Sequence, residues 1–303
     1  MDLDLSPDQV ALRDGIDAVL TARFGPERIR AGFDRGVYDE LAEAGVFTLR
    51  ADGFSWSDCV IVFEQLGRRC VPGPLVASLL FQVHGVTGVV ERAGPAWVEH
   101  PGALDALVVL DGAAAALVDP RALEVEHSPW PLDFLTPVGR VAQLPPGEPL
   151  DVDVAGVRRA GAALTAAFQL GLADRVTELA VEYAKERVQF DRAIGSFQAI
   201  KHLLADMLVR TEVARAAVYA AGAHLDAPAE GGADRSVAVA KLLAGEAAIA
   251  NGKAATQVFG GMGYTWEVDV HLFLKRAWVL DTCFGSADAH ADAVADALAA
   301  PGR

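Results

Sequence analysis

The sequence predicts a mostly α-helical protein with a small β segment in the middle of the chain. Apolar residues recur at helical spacing over residues 1–86 and again over 154–303. Between them, residues 87–153 carry short apolar runs that many prolines interrupt, which is typical of short strands and loops. We therefore predict an N-terminal helical domain (1–86), a small middle β domain (87–153) and a C-terminal helical bundle (154–303).

The N-terminal segment opens with a helix-start signal. Ser6, Pro7 and Gln9 supply an N-cap serine, a proline at the first helical position and a glutamine at the third, which is the capping-box pattern. Three further helices follow from apolar spacing and from the prolines that end them. They are predicted over 38–44, 57–70 and 75–83.

The middle segment contains one clear hairpin signal. The apolar run 106–110 is followed by Asp111-Gly112 and then by the apolar run 113–118. An Asp-Gly pair between two such runs favours a tight antiparallel turn.

The last half of the chain carries long alanine- and leucine-rich helical patterns with short connections, which predict a four-helix bundle. A Pro/Gly-rich stretch at 226–232 predicts a loop within it. The predicted helices cover 157–189, 197–225, 236–259, 271–280 and 287–299.

Composition excludes several classes of protein. The 303 residues are 52% hydrophobic, which rules out a disordered chain. The 41 acidic against 26 basic residues give a net charge of −15, so neither nucleic acid nor membrane is an expected partner. The three cysteines lack any metal-ligand spacing, and the acidic N-terminus lacks a signal-peptide pattern. We expect a cytoplasmic protein without a metal site.

Two longer runs carry chemical information. One starts at Arg187 and reads R-V-Q-F-D-R-A-I-G-S-F-Q-A-I-K-H; the other starts at Gln257 and reads Q-V-F-G-G-M-G-Y-T-W-E. Each lies where one predicted bundle helix ends and the next begins. In order, spacing and context they resemble the two signature runs in the C-terminal bundle of the acyl-CoA dehydrogenase family.

The resemblance implies a site for flavin adenine dinucleotide (FAD) that this chain helps to complete. A guanidinium suits a pyrophosphate, amides suit polar groups, and glycines let the backbone approach a ligand. The predicted cofactor-binding residues are Arg187, Phe190, Gln198, Gln257, Gly260 and Gly261. In the family these positions contact FAD held mainly by a neighbouring subunit, so the resemblance also implies an oligomer.

The expected catalytic base is missing. In many members of the family a glutamate removes the α-proton of an acyl-CoA, and Phe284 stands at the matching position here. Other members place the base on the first bundle helix, where Glu178 and Glu182 lie four residues apart but do not match that position. We therefore predict no catalytic residue in this chain.

The middle segment is also too short for the full β domain of the family. In both departures the chain resembles the reduced subunit of actinobacterial heterotetrameric (α2β2) acyl-CoA dehydrogenases, which act on steroid-derived CoA thioesters. A full-length partner subunit would then supply the base and the acyl-CoA site. Two alternatives stay open: an autonomous homomeric dehydrogenase with an unrecognised base such as Glu182 or Asp281, and an assembly scaffold that has lost FAD.

Overall fold

The computed structural model describes residues 4–82, 85–92, 95–227 and 232–299. They form two compact units, each built from separate stretches of the chain. The first unit takes its described residues from 1–20, 56–71 and 162–303, and the second takes them from 21–55 and 72–161. The division of the chain into domains at 86/87 and 153/154 stays a prediction.

In chain order the helices are α1 (Pro7–Arg23), α2 (Pro26–Ala31), α3 (Arg35–Glu43), α4 (Trp56–Arg68), α5 (Leu75–Phe81), α6 (Val154–Glu186), α7 (Gln198–Asp226), α8 (Ala233–Phe259), α9 (Val270–Asp281) and α10 (Ala287–Ala299). The strands are β1 (Thr87–Glu91), β2 (Ala96–Glu99), β3 (Ala106–Asp111), β4 (Ala114–Val118), β5 (Val125–His127), β6 (Val138–Val141), β7 (Glu148–Leu150), β8 (Val188–Gln189) and β9 (Arg192–Ala193). The mostly helical fold with a small β middle is as the sequence predicts.

Helix α1 begins with the predicted capping box. The Ser6 amide donates to Gln9 Oε1 at 3.1 Å, and the Gln9 amide donates to Ser6 Oγ at 3.2 Å. Two backbone donors at the helix start are thereby satisfied. Helix α2, in contrast, was not predicted, because six residues are too few to show a helical period.

The second unit contains two small sheets, with strand orders β1-β3-β4-β7 and β2-β6-β5. The predicted hairpin is confirmed: β3 and β4 pair antiparallel, with Asp111 opposite Ala114. Strand β3 is buried on both faces. Leu107 and Val109 pack in a cluster with residues of the second sheet, whereas Val108 and Leu110 pack in a cluster with the start of α6. This explains why the run 106–110 is continuously apolar rather than alternating.

The predicted helical bundle forms the larger part of the first unit, where α7 packs on α8 and α8 packs on α9 and α10. Asn251 of α8 is fully buried and links α8 to α6 and α7. Its amide nitrogen, which carries two hydrogens, lies within hydrogen-bond distance of three acceptors: Thr177 Oγ1 at 3.2 Å, Thr211 Oγ1 at 3.0 Å and the Met207 carbonyl at 2.9 Å. None of the described helices has an apolar run long enough to cross a bilayer.

Helix α4 crosses α6 at a point where both helices carry a glycine. A side chain at Gly67 would collide with the Phe168 carbonyl, and one at Gly171 would collide with the Glu64 carbonyl. Their absence lets the two helix backbones approach directly, so both glycines are packing residues.

The start of α4 is capped from far along the chain. The Asp226 carboxylate accepts hydrogen bonds from the backbone amides of Trp56 at 2.6 Å and Ser57 at 3.0 Å, and from the Ser57 hydroxyl at 2.7 Å. We expect Asp226→Ala to lower the free energy of unfolding by about 1 kcal/mol, as loss of an N-cap does. Urea unfolding of the isolated chain measures this, and Asp226→Asn, which keeps an acceptor oxygen, should lose less. Equal unfolding of all three proteins would contradict the capping role.

Candidate functional site

The two signature runs meet at one end of the bundle. Helix α6 ends there and α7 begins, and the short 3₁₀ turn that follows α8 lies beside them. Tyr183, one turn before the end of α6, joins the two runs: its ring stacks on Phe259 at 4.1 Å between centroids, and its hydroxyl donates to the Met262 sulfur at 3.7 Å. Sequence reasoning did not single out Tyr183, because nothing local marks an aromatic residue on a helix as a bridge.

The first run contains a tight hairpin instead of a longer helix. We predicted a helix up to Gln189, but α6 ends at Glu186 and β8 pairs with β9 antiparallel. Phe190 and Asp191 form the turn, both with positive φ (53° and 60°), a conformation that costs a bulky residue free energy. The Phe190 side chain is 85% exposed, so this strained turn presents an aromatic ring to the outside.

The polar residues predicted to contact the cofactor are also exposed to solvent. Arg187, Gln198 and Gln257 are all exposed. Among the described residues no ion pair or side-chain hydrogen bond engages the Arg187 guanidinium. Gln198 is the first residue of α7, whose N-terminus lacks a side-chain cap. The free backbone N–H groups at this N-terminus and the positive end of the helix dipole favour an anion.

The glycines of the second run have different physical reasons. Gly260 ends α8 with φ +62°, a conformation that suits glycine, and Gly263 is packed so closely that an added Cβ would lie 2.6 Å from the Thr256 carbonyl oxygen. Gly261 shows neither constraint: its φ is not positive, and no other atom lies within 4 Å of the position that a Cβ would take. The fold therefore gives no internal reason for a glycine at 261, and the open space fits the close approach of a ligand.

We expect Gly261→Ala to leave the thermal stability of the isolated chain unchanged, or to raise it slightly, because a helical turn favours alanine by up to about 1 kcal/mol. The same substitution should lower the amount of FAD that stays bound at this end of the bundle. Gly263→Ala is the matched control and should lower the melting temperature through its clash with Thr256. If Gly261→Ala destabilises the chain as much as Gly263→Ala, the role of Gly261 is structural.

Phe284, the residue predicted to stand at the position of the family's base, has no proton-accepting side chain. The Phe284 backbone has φ +54°, and its carbonyl contacts His290 Nε2 at 3.0 Å. Nearby, the buried Lys241 ammonium donates to the carbonyls of Leu280 at 3.0 Å and Asp281 at 3.3 Å, which caps the C-terminus of α9. Burial lowers the pKa of Lys241, although electrostatic interactions with Cys283 and Asp281 act to raise it. These contacts fix the turn that holds Phe284.

Glu178 and Glu182, the acidic pair on the first bundle helix, belong to an ion-pair network. Glu178 accepts hydrogen bonds from Arg68 at 2.7 Å and Arg175 at 2.9 Å, and Glu182 lies 3.5 Å from Arg175. Burial favours the protonated form of Glu178, but the hydrogen bonds from both arginines outweigh it and lower its pKa. A carboxylate held in this way is a weak proton acceptor.

Part of this network lines a cavity of about 560 Å³ in the first unit, between α1, α4, α6 and α7. Glu64, only 2% exposed, pairs with Arg215 and accepts a hydrogen bond from the Tyr219 hydroxyl at 2.7 Å. Arg215 also contacts Asp174 at 3.2 Å. Burial, together with the charge of Glu64, raises the pKa of Tyr219, so its hydroxyl stays a donor. The charges in the cavity wall satisfy one another and hold the helices together.

Comparison with known proteins agrees with the two signature runs. The model of the "Acyl-CoA dehydrogenase, C-terminal domain" matches residues 159–299. The acyl-CoA dehydrogenase IpdE2 of Mycobacterium tuberculosis is 33% identical over 293 residues, which cover 88% of this chain and 89% of that protein. This chain belongs to the acyl-CoA dehydrogenase family.

Solved structures of other proteins share the fold of this chain. A chain in the crystal structure of the ChsE4–ChsE5 complex from Mycobacterium tuberculosis matches with a TM-score of 0.82 at 23% identity, covering 100% of both chains. A variant of the Tcur3481–Tcur3483 steroid ACAD matches with a TM-score of 0.81 at 20% identity, covering 96% of this chain and 98% of that one.

Proposed function

We propose that this chain is one subunit of a heteromeric, FAD-dependent acyl-CoA dehydrogenase, and that it completes the FAD site of a full-length partner subunit. The partner would supply the catalytic base and most of the acyl-CoA site. The substrate class we propose is an acyl-CoA thioester with a steroid-derived acyl group, into which the complex introduces an α,β double bond.

The observation that carries this proposal is the exposure of the predicted FAD-contact residues at one end of the bundle. The residues predicted to contact FAD are exposed or, at Gly260, half-buried rather than gathered around an internal cavity. Arg187 has no anionic partner among the described residues, and Gly261 leaves an open approach to the backbone. Such a donor set fits a dinucleotide that is carried by another subunit and closed by this one.

The residues of this chain would hold and orient the cofactor rather than react. Arg187 would bind the pyrophosphate, Gln198 and Gln257 would donate or accept hydrogen bonds, and Phe190 would pack on an apolar part of the molecule. FAD, when bound, supplies the acceptor for the hydride that leaves the β-carbon. Because Phe284 cannot accept the α-proton, that step is assigned to the partner.

Two further features support a heteromer. The middle of α7 exposes an apolar surface made of Leu208, Val209 and Val213, which are 54%, 61% and 49% exposed in this chain. A contiguous apolar surface of this kind favours contact with another protein. The solved structures named above include the ChsE4–ChsE5 complex and the Tcur3481–Tcur3483 steroid ACAD. These two proteins are the basis for the proposed partner and substrate class.

The test is the flavin content per chain after purification. We would produce this chain alone and together with a candidate full-length acyl-CoA dehydrogenase partner, then measure FAD by absorbance after denaturation. We expect FAD only in the stoichiometric complex, together with dehydrogenation of a steroid side-chain CoA thioester. FAD and activity in the isolated chain would contradict the proposal and favour a homomeric enzyme. A complex without FAD would instead favour a scaffold.

A further inference from the structure

Arg192 was not among the predicted cofactor contacts, yet the structure sets it beside them. Its guanidinium lies over the Phe197 ring, with 4.0 Å between Cζ and the ring centroid. Phe197 is in turn the N-cap residue of α7 and meets Phe190 edge-on at 6.1 Å between centroids. Arg192 is thus stacked on an aromatic ring at the uncapped start of a long helix.

The hairpin register places Arg192 diagonally opposite Arg187. Gln189 pairs with Arg192 and Val188 with Ala193, and the Ile194 amide extends the ladder to the Arg187 carbonyl at 2.8 Å. Arg187 directly precedes β8 and stands opposite Ile194, so Arg187 and Arg192 are diagonal neighbours in the ladder. Diagonal neighbours lie about 7–8 Å apart and somewhat closer at Cβ, a separation at which two arginines can bind a single diphosphate.

Within the part of the chain that the structure describes, the two arginines are unpaired cations, and the chain has a net charge of −15. Many arginines elsewhere pair with a carboxylate, such as Arg158 with Glu91 and Arg69 with Asp17. Among the described residues no carboxylate pairs with Arg187 or Arg192, not even the adjacent Asp191 in the turn. Like charges held side by side repel, so an anion bound between them would be strongly favoured.

We propose that Arg192 is a second phosphate-binding residue of this site, and that Phe197 positions it. The ligand class is a diphosphate-containing nucleotide, so the inference rests on the proposed FAD site and extends it. The stack on Phe197 limits the rotamers of Arg192 before the ligand arrives, which reduces the entropy lost on binding.

The experiment uses the complex of this chain with its full-length partner, stripped of FAD and titrated with FAD while flavin fluorescence is followed. We expect Arg192→Gln to raise the dissociation constant of FAD about tenfold, as loss of one charged contact does. Because that contact is electrostatic, the affinity of the variant should also depend less on NaCl concentration. Phe197→Leu should weaken binding about threefold, whereas Phe197→Tyr, which keeps the ring, should bind like the native complex.

Two probes separate a phosphate contact from a general effect on the hairpin. The inhibition constant of ADP, which carries the diphosphate, should rise about tenfold in Arg192→Gln once the weaker binding of FAD is allowed for, whereas the inhibition constant of adenosine should not change. The control is Arg235→Gln, which removes an exposed arginine at the start of α8 and should leave both unchanged. Equal losses for ADP and adenosine would overturn the assignment of Arg192 to a phosphate.

The outcome for Arg192 is distinguishable from that for the proposed function. If the native complex binds FAD and Arg192→Gln binds it within twofold of the native value, Arg192 is not a contact but the FAD site stands. If the native complex binds no FAD at all, the proposed function fails, and the role of Arg192 fails with it.

Discussion

Replacing Arg187 by glutamine is expected to lower the affinity of the complex for FAD about thirtyfold, which corresponds to about 2 kcal/mol for a charged hydrogen-bonded contact. The residue is exposed and makes no ion pair among the described residues, so its loss leaves no buried partner unsatisfied. The fold should therefore be unaffected. The measurement is the ratio of FAD to protein in the purified complex, together with the melting temperature of the isolated chain.

The controls for Arg187 separate charge from geometry. Arg187→Lys keeps the charge but loses the forked donor geometry, so it should retain an intermediate amount of FAD. Arg235→Gln changes the net charge equally at the opposite end of α8 and should retain all of it. An Arg187→Gln complex with the native FAD content would show that this arginine is an ordinary helix-end cation.

Replacing Arg215 by methionine is expected to lower the free energy of unfolding by about 3 kcal/mol, the largest stability effect we expect of a single substitution. Glu64 is almost completely buried and would keep only the Tyr219 hydroxyl as a partner. An uncompensated carboxylate in that position carries most of its desolvation cost. Chemical unfolding of the isolated chain measures the loss.

A double variant tests whether the unpaired charge is the cause. Adding Glu64→Gln to Arg215→Met removes the buried charge while keeping the shape and a hydrogen-bonding group. We expect at least half of the lost free energy to return, whereas Glu64→Gln alone should destabilise the native chain. A loss below about 1 kcal/mol in Arg215→Met would mean that Asp174 and solvent, rather than Glu64, dominate the surroundings of Arg215.

Local signals in the sequence were sufficient for most of the fold. The capping box at Ser6, the hairpin around Asp111-Gly112 and the long bundle helices depend on residues within a few positions of each other, and all are confirmed. The boundary at Gln189 was wrong because the hairpin competes with the helix. Two hydrogen-bonded residues on each strand and a strained Phe190-Asp191 turn leave no periodic pattern to detect.

Some features of the candidate site could likewise be predicted from the sequence, and others required the tertiary structure. The sequence by itself determined the family, the two signature runs and the absence of a glutamate at Phe284, because these are properties of contiguous residues. Only the tertiary structure decided that Tyr183 joins the runs, that Gly261 is open whereas Gly263 is packed, and that Arg192 lies over Phe197. The reason is that each of these facts depends on side-chain direction and on which element packs nearby. The packing of whole helices and turns fixes those directions, and the local sequence does not.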